Sequence, residues 1–193
     1  MKIAVYGAAS SLIDDSYKKA GKELGEKMVE RGHGLVFGGG ANGMMGSVAK
    51  GVYEKGGYIL GVVPQFFHDT NSEISFKNCT DYIYTNTMRE RKKEMEENWD
   101  AFIITPGGIG TLDEFFEILT LKQLGRHNKA IAIYNINGFY NEFANSLFRM
   151  VKEKFITNDC AELCKVFTDV DEMLKYVEGY DSSEIDLSKV KIR

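Results

Sequence analysis

Residues 105–117, TPGGIGTLDEFFE, set a proline, two adjacent glycines and a third glycine directly ahead of a hydroxyl and an acidic run. Glycines let backbone N–H groups close on an anion, and a helix that follows offers its positive N-terminal end. A second stretch, GGGANGMMG (38–46), repeats the arrangement after another apolar run. It contains G-x-G-x-x-G as Gly38, Gly40 and Gly43. The dinucleotide fingerprint also asks for an acid closing the next strand, and here that strand ends VVPQ (62–65). A Walker A loop, G-x-x-x-x-G-K-[ST], is absent. Two glycine loops at strand ends point to one phosphorylated ligand held between them; tight turns without a ligand are the plain alternative.

Glu114 reads in two ways. Thr111-Leu112-Asp113-Glu114 fits a capping box in which Thr111 caps and Glu114 returns to the cap N–H. On a helical wheel, however, Glu114 aligns with Ile118 and Leu121, away from the polar stripe of Asp113, Glu117 and Thr120. A carboxylate on that apolar border is partly desolvated, and burial raises its pKa. Upstream, MRERKKEMEENW (88–99) places Met88, Arg91, Lys92, Met95 and Trp99 on one helical face. Two cations on an apolar side are either snorkelling stems or groups directed at a ligand, where a bidentate contact to phosphate suits arginine.

The elements that must hold these groups alternate. Runs at 2–6, 34–37, 58–63, 81–85, 101–105, 130–134 and 165–168 read as strands, several of them apolar throughout. Helical patterns fall at 14–31, 43–56, 88–98, 111–124, 138–155 and 169–178. The alternation predicts an α/β protein: a Rossmann-like, doubly wound three-layer sandwich with a mostly parallel sheet of about seven strands. One domain over 1–180 and a polar tail at 181–193 are expected. Ligands of such folds sit at the carboxyl ends of the strands, which directs attention to the loops at 7–13, 38–46, 64–80, 86–88 and 105–111.

Composition narrows the classes. The 193 residues are 44% hydrophobic and 27% charged with a net charge of -4, ordinary for a globular protein and poorly suited to nucleic acid. No apolar run approaches the ~20 residues of a membrane span, and the N-terminus lacks a secretory apolar stretch. Cys79, Cys160 and Cys164 are too few for a disulfide framework, and Cys160 and Cys164 read as buried small hydrophobes. A reducing cytoplasm is the expected compartment.

Taken together, these motifs resemble the Lonely Guy (LOG) family of cytokinin riboside 5′-monophosphate phosphoribohydrolases, long labelled "possible lysine decarboxylase". P-G-G-x-G-T-x-x-E spans Pro106 to Glu114, and M-x-x-R-K spans Met88 to Lys92. GGG-x-x-G-x-M-G (38–46), GVVP (61–64) and QLG-x-H (123–127) add to the likeness. The resemblance implies a homodimer, in some members a higher oligomer, that needs no cofactor or metal. It implies hydrolysis of the N-glycosidic bond of AMP or an N6-substituted AMP to free base and ribose 5-phosphate. The family's catalytic pair falls on Arg91 and Glu114. Its nucleotide contacts fall on Met88, Lys92, Gly38, Gly39, Gly40, Gly43, Gly107, Gly108, Gly110 and Thr111. The chain departs from the family pattern where G-S-S becomes Gly7-Ala8-Ala9, where tryptophan becomes Leu121 and where proline becomes Ala130. The alternatives are a PLP decarboxylase, for which no Schiff-base lysine stands out, and a non-catalytic carrier of a nucleotide or of molybdenum cofactor. A carrier needs the glycine loops but not the Arg91–Glu114 pair.

Overall fold

Strands buried on both faces have no need to alternate polar with apolar residues. That is the pattern of β1 (Lys2–Tyr6), β2 (Gly34–Phe37), β3 (Ile59–Pro64), β5 (Ala101–Ile104) and β6 (Ala130–Tyr134), in which every residue except Lys2 is buried. The two strands with exposed positions along their length, β4 (Asp81–Thr85) and β7 (Lys165–Phe167), are the sheet edges. In this computed structural model, which describes residues 1–70, 75–184 and 190, the seven strands form one sheet in the order β4-β3-β2-β1-β5-β6-β7. Every neighbouring pair runs parallel.

Helices cover both faces. On one side α1 (Asp15–Glu30), α2 (Gly43–Glu54) and α8 (Val170–Glu178) contribute Leu24, Met28, Met44, Val48, Met173 and Leu174 to a core against the sheet. On the other, α4 (Met88–Glu97), α5 (Ile109–Gln123) and α6 (Asn141–Lys152) flank a second core containing Met95, Trp99, Phe102, Phe115, Ile118 and Tyr140. Burying a side chain such as Phe115 or Met95 contributes ~1.5–3 kcal/mol each. The expected three-layer α/β architecture is therefore the observed one. Among the described residues, no helix is long and apolar enough to cross a membrane.

The order of strands reverses between β1 and β5, so the loops leaving their carboxyl ends open a crevice. The two loops are tied together there by the Ala8 N–H, which donates to Pro106 O at 3.0 Å.

Several local expectations differ. The segment 64–80, expected as loop, contains α3 (Gln65–Thr70). The helix expected over 138–155 is shorter, because Asn137 and Lys154 take left-handed backbone (φ 54° and 65°) and bracket α6. A short α7 (Asn158–Ala161) was not legible in the pattern. Cys160 and Cys164 are buried thiols, as expected, and burial raises the pKa of each. Most of the tail at 181–193 lies outside the described residues, yet Val190 is fully buried beside Cys160 and Leu163.

Candidate active site

The head of α5 is built differently from its sequence signature. The helix begins at Ile109 rather than at Thr111; its N-cap is Gly108, which makes no side-chain capping bond. Thr111 is thus a buried first-turn residue and not the cap. The first amide to bond back into the helix is that of Leu112, to Gly108 O at 3.1 Å. The amides of residues 109–111 precede it, at the positive end of a 15-residue helix. A related cap appears instead at α4: Thr87, the N-cap, accepts through Oγ1 from the Glu90 N–H at 3.1 Å, and the Glu90 carboxylate accepts from the N–H of Asn86, one residue before the cap, at 2.8 Å.

Released from capping, Glu114 pairs with Arg91. Arg91 Nη1 donates to Glu114 Oε1 at 2.9 Å, with both side chains almost wholly buried, 10% and 12% exposed. Arg91 Nε also donates to Val62 O at 3.3 Å, fixing the guanidinium against the end of β3. Gly38 explains how the guanidinium fits: a Cβ at that position would overlap Arg91 Nη2. The Gly38–Gly46 loop therefore seats the arginine. Further along it, Gly39 (φ +81°) lies against Val63, and Gly43 (φ +65°) lies against the carbonyls of Ala8 and Ser10. Burial pushes the Glu114 carboxyl above the usual carboxylate range, and the Arg91 charge works against that rise.

A cavity of about 340 Å³ opens over this pair. Arg91 and Glu114 line it together with Gly108, Gly110 and Thr111 from the head of α5. Gly7 to Ser10 form another wall, and Met45, Phe67 and Met88 supply apolar surface. The size falls in the ~300–1,000 Å³ range of small-molecule sites. The structure thus brings Arg91, Glu114, Met88, Gly108, Gly110 and Thr111 onto one cavity. It does not bring Gly38, Gly39, Gly40, Gly43 or Gly107 to its wall; Gly38 is packed against Arg91, Gly39 against Val63, Gly43 against the Ala8 and Ser10 carbonyls, and Gly107 against Thr111.

Lys92 also turns elsewhere. Its Nζ lies 2.6 Å from Glu117 Oε2 and 3.3 Å from Asp113 Oδ2, forming a second α4–α5 ion pair outside the cavity. Glu96 stands beside Glu117, and burial together with that neighbouring charge pushes its carboxyl up to about 7. Met45 and Phe67 are wall residues that sequence reasoning did not single out. The signal for Phe67 was an aromatic pair directly after the end of β3; the signal for Met45 was its place inside the first glycine loop.

Comparison with known proteins places this arrangement. A family model described as "Possible lysine decarboxylase" matches residues 45–177. The chain is 36% identical over 179 residues to the Oryza sativa subsp. japonica cytokinin riboside 5′-monophosphate phosphoribohydrolase LOG, covering 93% of this chain and 73% of that protein. It is 33% identical over 179 residues to LOG2 of Arabidopsis thaliana, a protein of the same description, covering 93% and 83%. Among solved structures, the molybdenum cofactor carrier protein of Chlamydomonas reinhardtii superposes with a TM-score of 0.68 at 23% identity, covering 92% of this chain and 95% of that one. The molybdenum cofactor binding protein of Rippkaea orientalis gives a TM-score of 0.68 at 18% identity, with 92% and 94% covered. At such identities the structural likeness speaks for the fold alone.

Proposed function

The chain belongs to the possible lysine decarboxylase family, whose members include the LOG cytokinin riboside 5′-monophosphate phosphoribohydrolases, and on that premise we propose that it hydrolyses the N-glycosidic bond of a nucleoside 5′-monophosphate, AMP or an N6-substituted AMP, to free base and ribose 5-phosphate. The observation that carries this reading is the buried Arg91–Glu114 pair on the floor of a cavity bounded by the uncapped head of α5.

In the reaction the C1′–N bond breaks, water oxygen bonds to C1′, one water proton is taken up and the departing base nitrogen gains one. Positive charge builds on the ribose as the bond opens. An anionic carboxylate beneath the ring stabilises that charge more than it stabilises the substrate, which is the condition for acceleration. Glu114 takes that role and accepts the proton of the attacking water. Arg91 favours the ionised form of Glu114, working against the burial that raises its pKa. The amides at residues 109–111 receive the 5′-phosphate. The test is incubation with AMP, GMP, CMP and N6-isopentenyl-AMP, followed by chromatography for free base. A carrier of the molybdenum-cofactor type would retain nucleotide and release no base. Retention without release of base or ribose 5-phosphate would overturn the hydrolase reading.

Lys92 supplies a measurable contrast. Its partners are Asp113 and Glu117, and a partly exposed pair of this kind contributes ~0–1 kcal/mol. Lys92→Ala is expected to lower the melting temperature slightly and to reduce kcat less than ~10-fold, with KM for AMP unchanged. A large rise in KM would place the ammonium on the ligand after all.

A homodimer fits the outer surface. No residue of α6 is buried: Phe143 and Leu147 are partly covered by the core, whereas Phe148 and, beyond the helix, Phe155 remain 71% and 73% exposed. We read them as parts of one interaction surface, since contiguous exposed apolar patches mark such surfaces. Light scattering is expected to give twice the chain mass, and Phe148→Asp to give the single-chain mass. The half-covered or buried free cysteines fit a reducing cytoplasm.

A further inference from the structure

We infer that Tyr140 is a positioning residue whose hydroxyl holds the Thr105–Gly108 turn in the shape that aims the first amides of α5 at the cavity. The inference rests on the reading of those amides as the phosphate site.

Tyr140 follows the 3-10 turn Ile136–Gly138 and is only 3% exposed. It is held on several sides. Its N–H donates to Asn135 Oδ1 at 2.7 Å, and Asn135 Nδ2 donates to Asn141 Oδ1 at 2.8 Å. Its ring meets Phe139 and Phe143 edge-on, at centroid distances of 5.0 and 6.1 Å. The hydroxyl at the end of this anchored ring donates to Thr105 O at 2.8 Å. Burial raises the phenol pKa, which keeps the proton on the donating oxygen. The hydroxyl thus holds the carbonyl directly before Pro106. Pro106 has no N–H to contribute, and its own carbonyl is held by Ala8. The Thr105 end is fixed as well: its N–H and Oγ1 both donate to Tyr6 O, at 2.8 and 2.9 Å.

The turn that delivers the chain from β5 into α5 is therefore clamped from beneath. Gly108, Gly110 and Thr111, which follow the turn, line the cavity. Tyr140 is not itself on the cavity wall. A group so placed acts on the ligand through the turn and has no direct part in bond cleavage.

The experiment is Tyr140→Phe, which keeps the ring and removes only the hydroxyl, leaving the Thr105 carbonyl without that donor. Equilibrium titration with AMP and with adenosine measures how much affinity the phosphate adds, and steady-state kinetics separates KM from kcat. Expected is a rise of about 10-fold in Kd and KM for AMP, little change in Kd for adenosine, and kcat within about 3-fold of wild type. Equal weakening of AMP and adenosine, or none, would overturn the positioning role. Wild-type protein that binds adenosine as tightly as AMP would instead overturn the phosphate site, whatever the variant does. Hydrogen exchange supplies a second measure independent of catalysis. The Ala8 amide, which donates to Pro106 O in the clamped turn, is expected to exchange at least about 10-fold faster in Tyr140→Phe while the β5 amides stay protected. Unchanged exchange at Ala8 would count against the clamp.

Discussion

Replacing Glu114 with Gln leaves AMP bound and nearly abolishes turnover. The expected fall in kcat is about 10²–10³-fold, or ~3–4 kcal/mol of barrier, the scale on which single charge-stabilising groups act. The substitution is nearly isosteric and can still accept the Arg91 Nη1 hydrogen bond that Glu114 Oε1 now receives at 2.9 Å. Binding should therefore survive, and Kd for AMP measured by titration should stay within a few-fold of wild type. The pH profile adds an independent check. In the proposed mechanism Glu114 acts as a carboxylate, and burial raises its pKa above the ordinary range. Wild-type kcat should accordingly decline as pH falls through that raised pKa, at a higher pH than an exposed glutamate would give. The residual activity of Glu114→Gln should lack this acid limb. Full turnover in the variant would remove the carboxylate from the mechanism.

Gly38→Ala is expected to cost nearly as much, although residue 38 is not on the cavity wall. The added methyl would occupy the space of Arg91 Nη2, and that guanidinium is already fixed by Val62 O and Glu114. The arginine must move, or the loop after β2 must. Either shift separates a buried pair, and stranding one member of such a pair typically costs ~3–5 kcal/mol. A drop of about 10²-fold or more in kcat/KM is expected. The direction of the accompanying pH change follows from the pair. Arg91 lowers the Glu114 pKa, so displacing it lets that pKa climb and moves the acid limb to higher pH. Wild-type kinetics in Gly38→Ala would mean that the arginine has a second productive position.

The architecture was legible because the strands buried on both faces have continuous apolar runs, such as KIAVY and AIAIY, and because helical stripes lie between them. The edge strand β7 kept its pattern despite its exposure, and the tiny α7 had too few residues to show a period. At the site, the helical wheel separated Glu114 from its acidic neighbours, and its partial burial follows from that placement. Two things lay beyond the pattern. A T-x-x-E signature does not say whether the helix starts at the threonine or two residues earlier, since glycines at 107, 108 and 110 leave the boundary open. Nor does the shared face of Arg91 and Lys92 decide which way each long side chain bends. Arg91 bends inward to Val62 O and Glu114, whereas Lys92 meets Asp113 and Glu117. Gly38 was legible as a special position, but its reason is a tertiary contact with a residue 53 positions later in the chain, counted as 91 minus 38, and no local rule contains it.

The head of α5 ends in a glycine around which a built side chain would meet nothing within 4 Å. Space is thus no obstacle to a serine there, and a serine could finish the helix from within the protein. The present residue leaves that task to whatever anion arrives from solution. On the proposed function, occupancy and rigidity become one quantity: a departing product would unfasten the first turn, and an incoming nucleotide would fasten it again. Any lineage that made this helix self-sufficient would gain durability and place a permanent competitor where its substrate docks.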